Sequence, residues 1–275
     1  MTDDLTLLCV HAHPDDESSS TGGILRTYAD QGVRTVLVTC TDGALGDSPE
    51  GVTPEQDHHL PDEVAEHRRG ELERATAILG VSRLEMLGFA DSGMEGWAQN
   101  DAPGSFWSTP VEEGAARLVP ILLEERPQVV VTYDERGFYG HPDHIQANRI
   151  TLRALEQTGL KSTLFYTAIP ISAFARFREL LRDADVEAPG LEDDADEAPT
   201  FGTPDETIGA IIDVGGAVDA KFDALAAHAS QTEASFFLKI GRDRFRQAFG
   251  REWFVRAIDP FGRTGVDDDL FAAVR

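Results

Sequence analysis

Residues 5–17 read Leu5-Thr6-Leu7-Leu8-Cys9-Val10-His11-Ala12-His13-Pro14-Asp15-Asp16-Glu17. The apolar run ending at Val10 makes one strand, and the loop after it is crowded with imidazole and carboxylate side chains. Ser18 to Tyr28 then carries small residues, two glycines and apolar positions at helical spacing. Strand, ligand-rich loop and helix in that order form the first unit of an open α/β sheet, whose chemistry collects at the carboxyl ends of its strands.

The pattern continues along the chain. Arg34–Cys40 is β-branched and apolar, as a strand buried on both faces of a parallel sheet should be. Thr41–Leu60 is a long loop, and Glu63–Leu79 is an amphipathic helix stopped by Gly80. A short third strand at Leu84–Leu87 precedes a loop over Asp91–Ser108, in which Trp97 and Trp107 serve as apolar pins. Val111–Arg126 is helical, Pro127 ends it, and Val129–Tyr133 is a buried strand.

His141-Pro142-Asp143-His144 then opens a helix reaching about Gln157, with proline in the first turn, where its missing N–H costs nothing. Leu164–Ala168 and Ile208–Val214 read as further strands, with helices over Ile171–Leu181 and Val218–His228. Phe236, Phe237, Phe245, Trp253 and Phe254 mark a tail packed on the body. The expected architecture is a Rossmann-like, open, mostly parallel sheet with helices on both faces, spanning residues 1–275 as one domain, with long active-site loops. Residues 182–205 are acidic and rich in Pro and Gly, which predicts a flexible surface loop.

The 49 Asp and Glu residues outnumber 24 Lys and Arg, and the formal charge of −25 opposes binding to a phosphate backbone, so no nucleic-acid partner is expected. Cys9 and Cys40 lie in apolar runs and read as buried hydrophobes. No run is long enough to span a bilayer and the first residues lack a signal-peptide pattern, so the expected setting is cytoplasmic, without a membrane partner.

In a doubly wound sheet of order 3-2-1-4-5, the first strand neighbours the strand ending at Tyr133, so the loops carrying His13/Asp16 and His144 meet at the topological switch point. A catalytic metal site needs three protein ligands and an open position, and His and Asp candidates are present without a usable Cys.

His13-Pro14-Asp15-Asp16-Glu17, Arg68 with Gly70-Glu71-Leu72, Asp91-Ser92-Gly93-Met94, Val131-Thr132-Tyr133-Asp134 and Gly140-His141-Pro142-Asp143-His144 resemble the PIG-L/LmbE family of zinc-dependent N-acetylglucosaminyl deacetylases. The resemblance covers residues 5 to about 158 and resumes weakly at His228-Ala229-Ser230-Gln231. It implies that His13, Asp16 and His144 ligate one Zn2+ (Fe2+ or another divalent ion being an alternative), that Asp15 is the general base and that His141 assists at the reacting carbonyl. The implied substrate is a small acetylated amino sugar.

The chemistry agrees with those roles, since an acetamide needs an activated water, a stabilised oxyanion and a proton for the departing amine. One short loop can aim Asp16 at a metal and Asp15 at the water, and Asp143 or another acid can orient the His141 ring. Arg68 and Asp91 either hold substrate hydroxyls or serve as a helix salt bridge and a turn cap, and the resemblance favours the first. Tyr139 is expected to line the carbonyl pocket. His11 stands outside the ligand set, and Gly43-Ala44 departs from the Gly-Glu that relatives often carry after the second strand.

Three other functions fit parts of the pattern. His11, His13 and Asp15 have the spacing of a dinuclear metallohydrolase, but Asp16 stands where that motif needs histidine. An amidase acting on mycothiol conjugates would share every zinc residue, but its lysine soon after the His-Pro-Asp-Asp-Glu motif is replaced here by Ser18-Ser19-Ser20. A non-catalytic sugar- or metal-binding protein leaves Asp15 unexplained.

Overall fold

The computed structural model describes residues 5–183, 202–231 and 237–275. Most of the expected acidic loop, residues 184–201, and Phe236 lie outside the described residues. The strands are β1 (Thr6–His11), β2 (Arg34–Thr41), β3 (Arg83–Phe89), β4 (Val129–Thr132), β5 (Thr163–Ala168), β6 (Ala210–Asp213) and β7 (Arg251–Ile258). They form one sheet of order β3-β2-β1-β4-β5-β7-β6. The first five are parallel, whereas β7 runs antiparallel to both β5 and β6.

Because strand side chains alternate, β1 feeds two cores. Leu8 and Val10 join Val36, Val38 and Val130 on one face, while Leu7 and Cys9 join Leu37, Val129 and Val131 on the other. The first core is covered by α3 (Val111–Glu125) and α4 (Pro142–Thr158), through Leu118, Leu122, Ile150 and Ala154. Those helices approach closely at Gly114, where an added Cβ would lie 2.6 Å from Ile150 Cγ2. The second core is covered by α1 (Gly22–Asp30), α2 (Pro61–Leu79) and α6 (Val218–Ala227), through Ile24, Leu25, Leu72, Leu79 and Ala224. Two further helices, α5 (Ile171–Asp183) and α7 (Arg242–Phe249), pack with α6 around Leu181, Val218, Leu225 and Phe245.

Two features differ from the sequence reading. The tail after α6 contains α7 and a full strand, β7, inserted between β5 and β6. Arg251, Glu252 and Arg256 interrupt its apolar run and mask the strand pattern. Glu252 is nevertheless buried, because its carboxylate accepts the Gly23 and Ile24 N–H groups (both 2.8 Å) at the start of α1 and pairs with buried Lys221 (2.6 Å). The first helix also starts later than expected, because Glu17–Thr21 forms a wider π-helical turn before α1.

The order β2-β1-β4 reverses the direction of winding between β1 and β4, which places the two motif loops side by side. No helix among the described residues is long and apolar enough to cross a membrane.

Candidate functional site

His141 caps α4, its Nδ1 accepting the Asp143 N–H (3.2 Å), and Pro142 occupies the first turn. This start aims Asp143 and His144 back over the end of β1. The His144 ring stacks on Tyr133 with centroids 4.1 Å apart at 9°. Its Nδ1 lies 3.2 Å from Gly137 O, which leaves Nε2 3.4 Å from Asp16 Oδ1. The other oxygen, Asp16 Oδ2, accepts the His13 backbone N–H (2.7 Å) and lies 3.3 Å from His13 Nδ1. Asp16 therefore stands between the two imidazoles, and the two motifs meet.

The far nitrogen of His13, Nε2, faces Asp143 Oδ2 at 3.3 Å and Asp91 Oδ1 at 3.8 Å. Asp143 was expected to orient His141, but its fully buried carboxylate faces His13 and accepts the Ser92 N–H (2.9 Å), and only its backbone reaches His141. Burial pulls the His13 pKa down, yet Asp91, Asp143 and Asp16 outweigh it and raise the value well above the ordinary histidine range. Burial disfavours the Asp16 carboxylate, yet His144 and His13 hold its pKa well below the usual range. Burial, then the neighbouring imidazoles of His13 and His144, push His141 down to about 2.

Two groups among the described residues have metal-compatible donor spacing: His13, His141 and His144, and His13, Asp91 and Asp143. Within the first, His13 and His144 have their outer nitrogens engaged by Asp143 and Gly137, the arrangement that aims the inner nitrogens of metal ligands. The Nδ1 of His141 is spent on the helix cap.

Asp15 lies beside this convergence with φ 124°. Burial foremost pushes its carboxyl up to about 7, with Arg68 opposing and Asp16 adding to the shift. Arg68, expected to meet substrate, is only 4 % exposed. Its Nη1 donates to Gly43 O (2.8 Å), and its Nη2 donates to Pro14 O (2.6 Å) and Asp15 Oδ2 (3.1 Å). Gly43, at φ +65°, suits this packing, since a Cβ there would meet Arg68 Nη1 at 2.6 Å. Asp91 accepts the N–H groups of Leu45 (3.2 Å) and Gly93 (2.9 Å), so it ties the long loop to the end of β3.

Tyr139 is 38 % exposed, with its ring centroid 5.2 Å from that of His144 and 6.0 Å from that of His141. His11 is buried away from the donor cluster, with Nδ1 3.2 Å from Tyr133 Oη and Nε2 2.8 Å from Thr21 Oγ1, and burial lowers its pKa to about 4. Trp97 packs on Gly93, where a Cβ would meet its ring at 2.4 Å, in keeping with a pin.

Several contributors lay outside the expected set. Glu17 and His228 are fully buried and paired at 2.8 Å, and Glu71 accepts from Ser230 N (3.0 Å) and Oγ (2.7 Å). Their only sequence signals were the last residue of the first motif, the glutamate after Gly70 and the short match at 228–231.

The family model for PIG-L, described as GlcNAc-PI de-N-acetylase, matches residues 8–155. The 1D-myo-inositol 2-acetamido-2-deoxy-alpha-D-glucopyranoside deacetylase of Acidothermus cellulolyticus is 43% identical, over 98% of this chain and 95% of that protein. The enzyme of the same name from Thermomonospora curvata is 40% identical, over 96% and 94%. The N,N'-diacetylchitobiose deacetylase structure from Pyrococcus horikoshii shares the fold at TM-score 0.57 and 20% identity, covering 94% of this chain and 88% of that one. A 4-carboxy-2-hydroxymuconate hydratase from Pseudomonas putida shares it at TM-score 0.61 and 18% identity, covering 95% and 99%, so the fold alone does not fix the reaction. The sequence matches do fix the family: this chain belongs to the PIG-L (GlcNAc-PI de-N-acetylase) family.

Proposed function

We propose that the chain is a metal-dependent hydrolase that removes the acetyl group from an N-acetylglucosamine-type glycoside, giving acetate and a free amine. The names of the relatives point to 1D-myo-inositol 2-acetamido-2-deoxy-alpha-D-glucopyranoside as the substrate. One observation carries the reading: after the donors His13, Asp16 and His144 are counted, a further carboxylate, Asp15, close enough to Asp16 to feel its charge, and a further imidazole, His141, 4.9 Å from His144 between ring centroids, remain. A binding module needs neither.

The donor set of two imidazoles and a carboxylate without sulfur suits zinc in a catalytic setting. His13, Asp16 and His144 would hold it, and when bound it supplies a Lewis acid that favours ionisation of water and polarises the acetyl carbonyl. Asp15 takes a proton from the attacking water. His141, with its ring centroid 4.5 Å from that of His13 and its Nδ1 occupied by the Asp143 N–H, stands where its Nε2–H can donate a hydrogen bond to the carbonyl oxygen, and the proton taken by Asp15 can pass to the departing nitrogen. Tyr139 lines the mouth beside both His141 and His144. Arg68 holds the Asp15 carboxylate and the Pro14 carbonyl, which fixes the base relative to the donors.

The test incubates zinc-loaded protein with the inositol glycoside, simpler N-acetylated sugars and cysteinyl glucosamine conjugates, while following acetate and new primary amine. The expected result is about one metal per chain and fastest release of acetate from the inositol glycoside. Faster cleavage of the conjugates would assign the chain to amidase chemistry, and metal binding without any turnover would make it a binding protein.

A further inference from the structure

Asp15 adopts φ 124°, a backbone region rarely entered by residues that carry a Cβ, so its surroundings must hold it there. On one side Arg68 of α2 grips the Asp15 side chain and the preceding carbonyl. On the other, Glu17 Oε2 accepts the Asp15 backbone N–H at 3.0 Å. Glu17 Oε1 accepts from Ser18 Oγ (2.5 Å) and lies 2.8 Å from Nε2 of His228. Three donors on two oxygens suit a carboxylate; a carboxamide would turn its NH2 toward one of them.

His228 follows α6 directly, and the turn that carries it is anchored twice. Ser230 donates to Glu71 through N and Oγ (3.0 and 2.7 Å), and Gln231 Nε2 donates to Asp47 O (3.1 Å). Glu71 lies one helical turn beyond Arg68, so α2 carries both the clamp on Asp15 and the anchor of the turn that delivers His228.

We propose that His228 is a positioning residue for Asp15, acting through Glu17 to hold the Asp15 N–H and thereby the direction of its carboxylate. The inference rests on the reading of Asp15 as the base. Burial is complete at both His228 and Glu17, so water offers no substitute partner if the pair is broken.

The test compares two substitutions in the full-length, metal-loaded chain. In His228→Gln the amide nitrogen falls where Nε2 stood and keeps the bond to Glu17, whereas in His228→Asn it falls nearer Nδ1 and loses it. With the acetylated glycoside, His228→Asn is expected to lower kcat by at least about tenfold, with KM and bound metal unchanged, while His228→Gln stays within about threefold of wild type. A second readout needs no turnover: by NMR, the Asp15 backbone amide of the wild type should exchange slowly with solvent. It should exchange at least about tenfold faster in His228→Asn. Equal kcat in the two variants, or a wild-type Asp15 amide exchanging as in an unstructured chain, overturns the proposal. Absence of acetate release by the wild type with a protected amide would instead sink the functional reading and leave the clamp standing.

Discussion

Asp143 Oδ2 faces His13 Nε2 at 3.3 Å, on the opposite side of the ring from Asp16. With a metal held at Nδ1, a carboxylate in this position keeps the remaining imidazole proton on Nε2 and fixes the plane of the ring. Asp143→Ala should therefore weaken metal affinity by about 10–100-fold without removing a ligand. Competition against a chelating dye measures this, and unchanged affinity would show that Asp143 does not orient His13.

His13→Ala, Asp16→Ala and His144→Ala should each lose stoichiometric metal, because three ligands leave no redundancy. His141→Ala should keep the metal and lower kcat more than it changes KM, since its nitrogen acts on the transition state. Metal analysis beside steady-state kinetics separates the cases. Loss of metal from His141→Ala would move His141 into the ligand set, where its spacing with His13 and His144 also allows it to stand.

Asp15→Asn keeps the size of the side chain but cannot accept a proton. Turnover should fall by about 10² or more with bound metal retained. Near-normal acetate release from this variant would free Asp15 from the role of base.

Far from the site, Glu125 bridges Arg34 (2.6 Å) and Arg83 (2.7 Å) and joins α3 to two strands. The Arg34 contact foremost, with Arg83, outweighs burial and lowers the Glu125 pKa from 4.5 to about 2. A depressed folded-state pKa gives stabilisation that is full above the unfolded value and is lost as pH falls through the folded one. The difference in stability between wild type and Glu125→Gln should thus be constant near neutrality and shrink between about pH 4.5 and about 2. Solvent screening of the arginines limits it to about 1 kcal/mol. Urea titrations at stepped pH check this, and a difference that grows on acidification would contradict it.

The parallel half of the sheet and the meeting of its two loops were legible in the sequence, because β1, β2 and β4 are buried on both faces and spell that burial as runs of apolar and β-branched residues. β7 was not legible, since its inward Glu252 is made tolerable by Lys221 and the start of α1, partners remote in sequence. The donors at the site were legible as two compact motifs. The employment of Arg68 was not, because two of its three acceptors are the backbone carbonyls of Pro14 and Gly43, which leave no trace in residue identity. The pairing of His228 was hidden for a different reason: its partner Glu17 is 211 residues away, and the two meet only where the turn after α6 packs on the turn before α1.

The angle of Asp15 also sets stability against chemistry at a single position. At φ 124° a glycine would sit at ease, whereas an aspartate there costs the folded chain about 1–3 kcal/mol. With aspartate at this position the loop sits below the stability that glycine would give it, and the contacts of Arg68 and Glu17 offset the deficit. Position 15 is thus where robustness and reactivity pull the sequence in opposite directions.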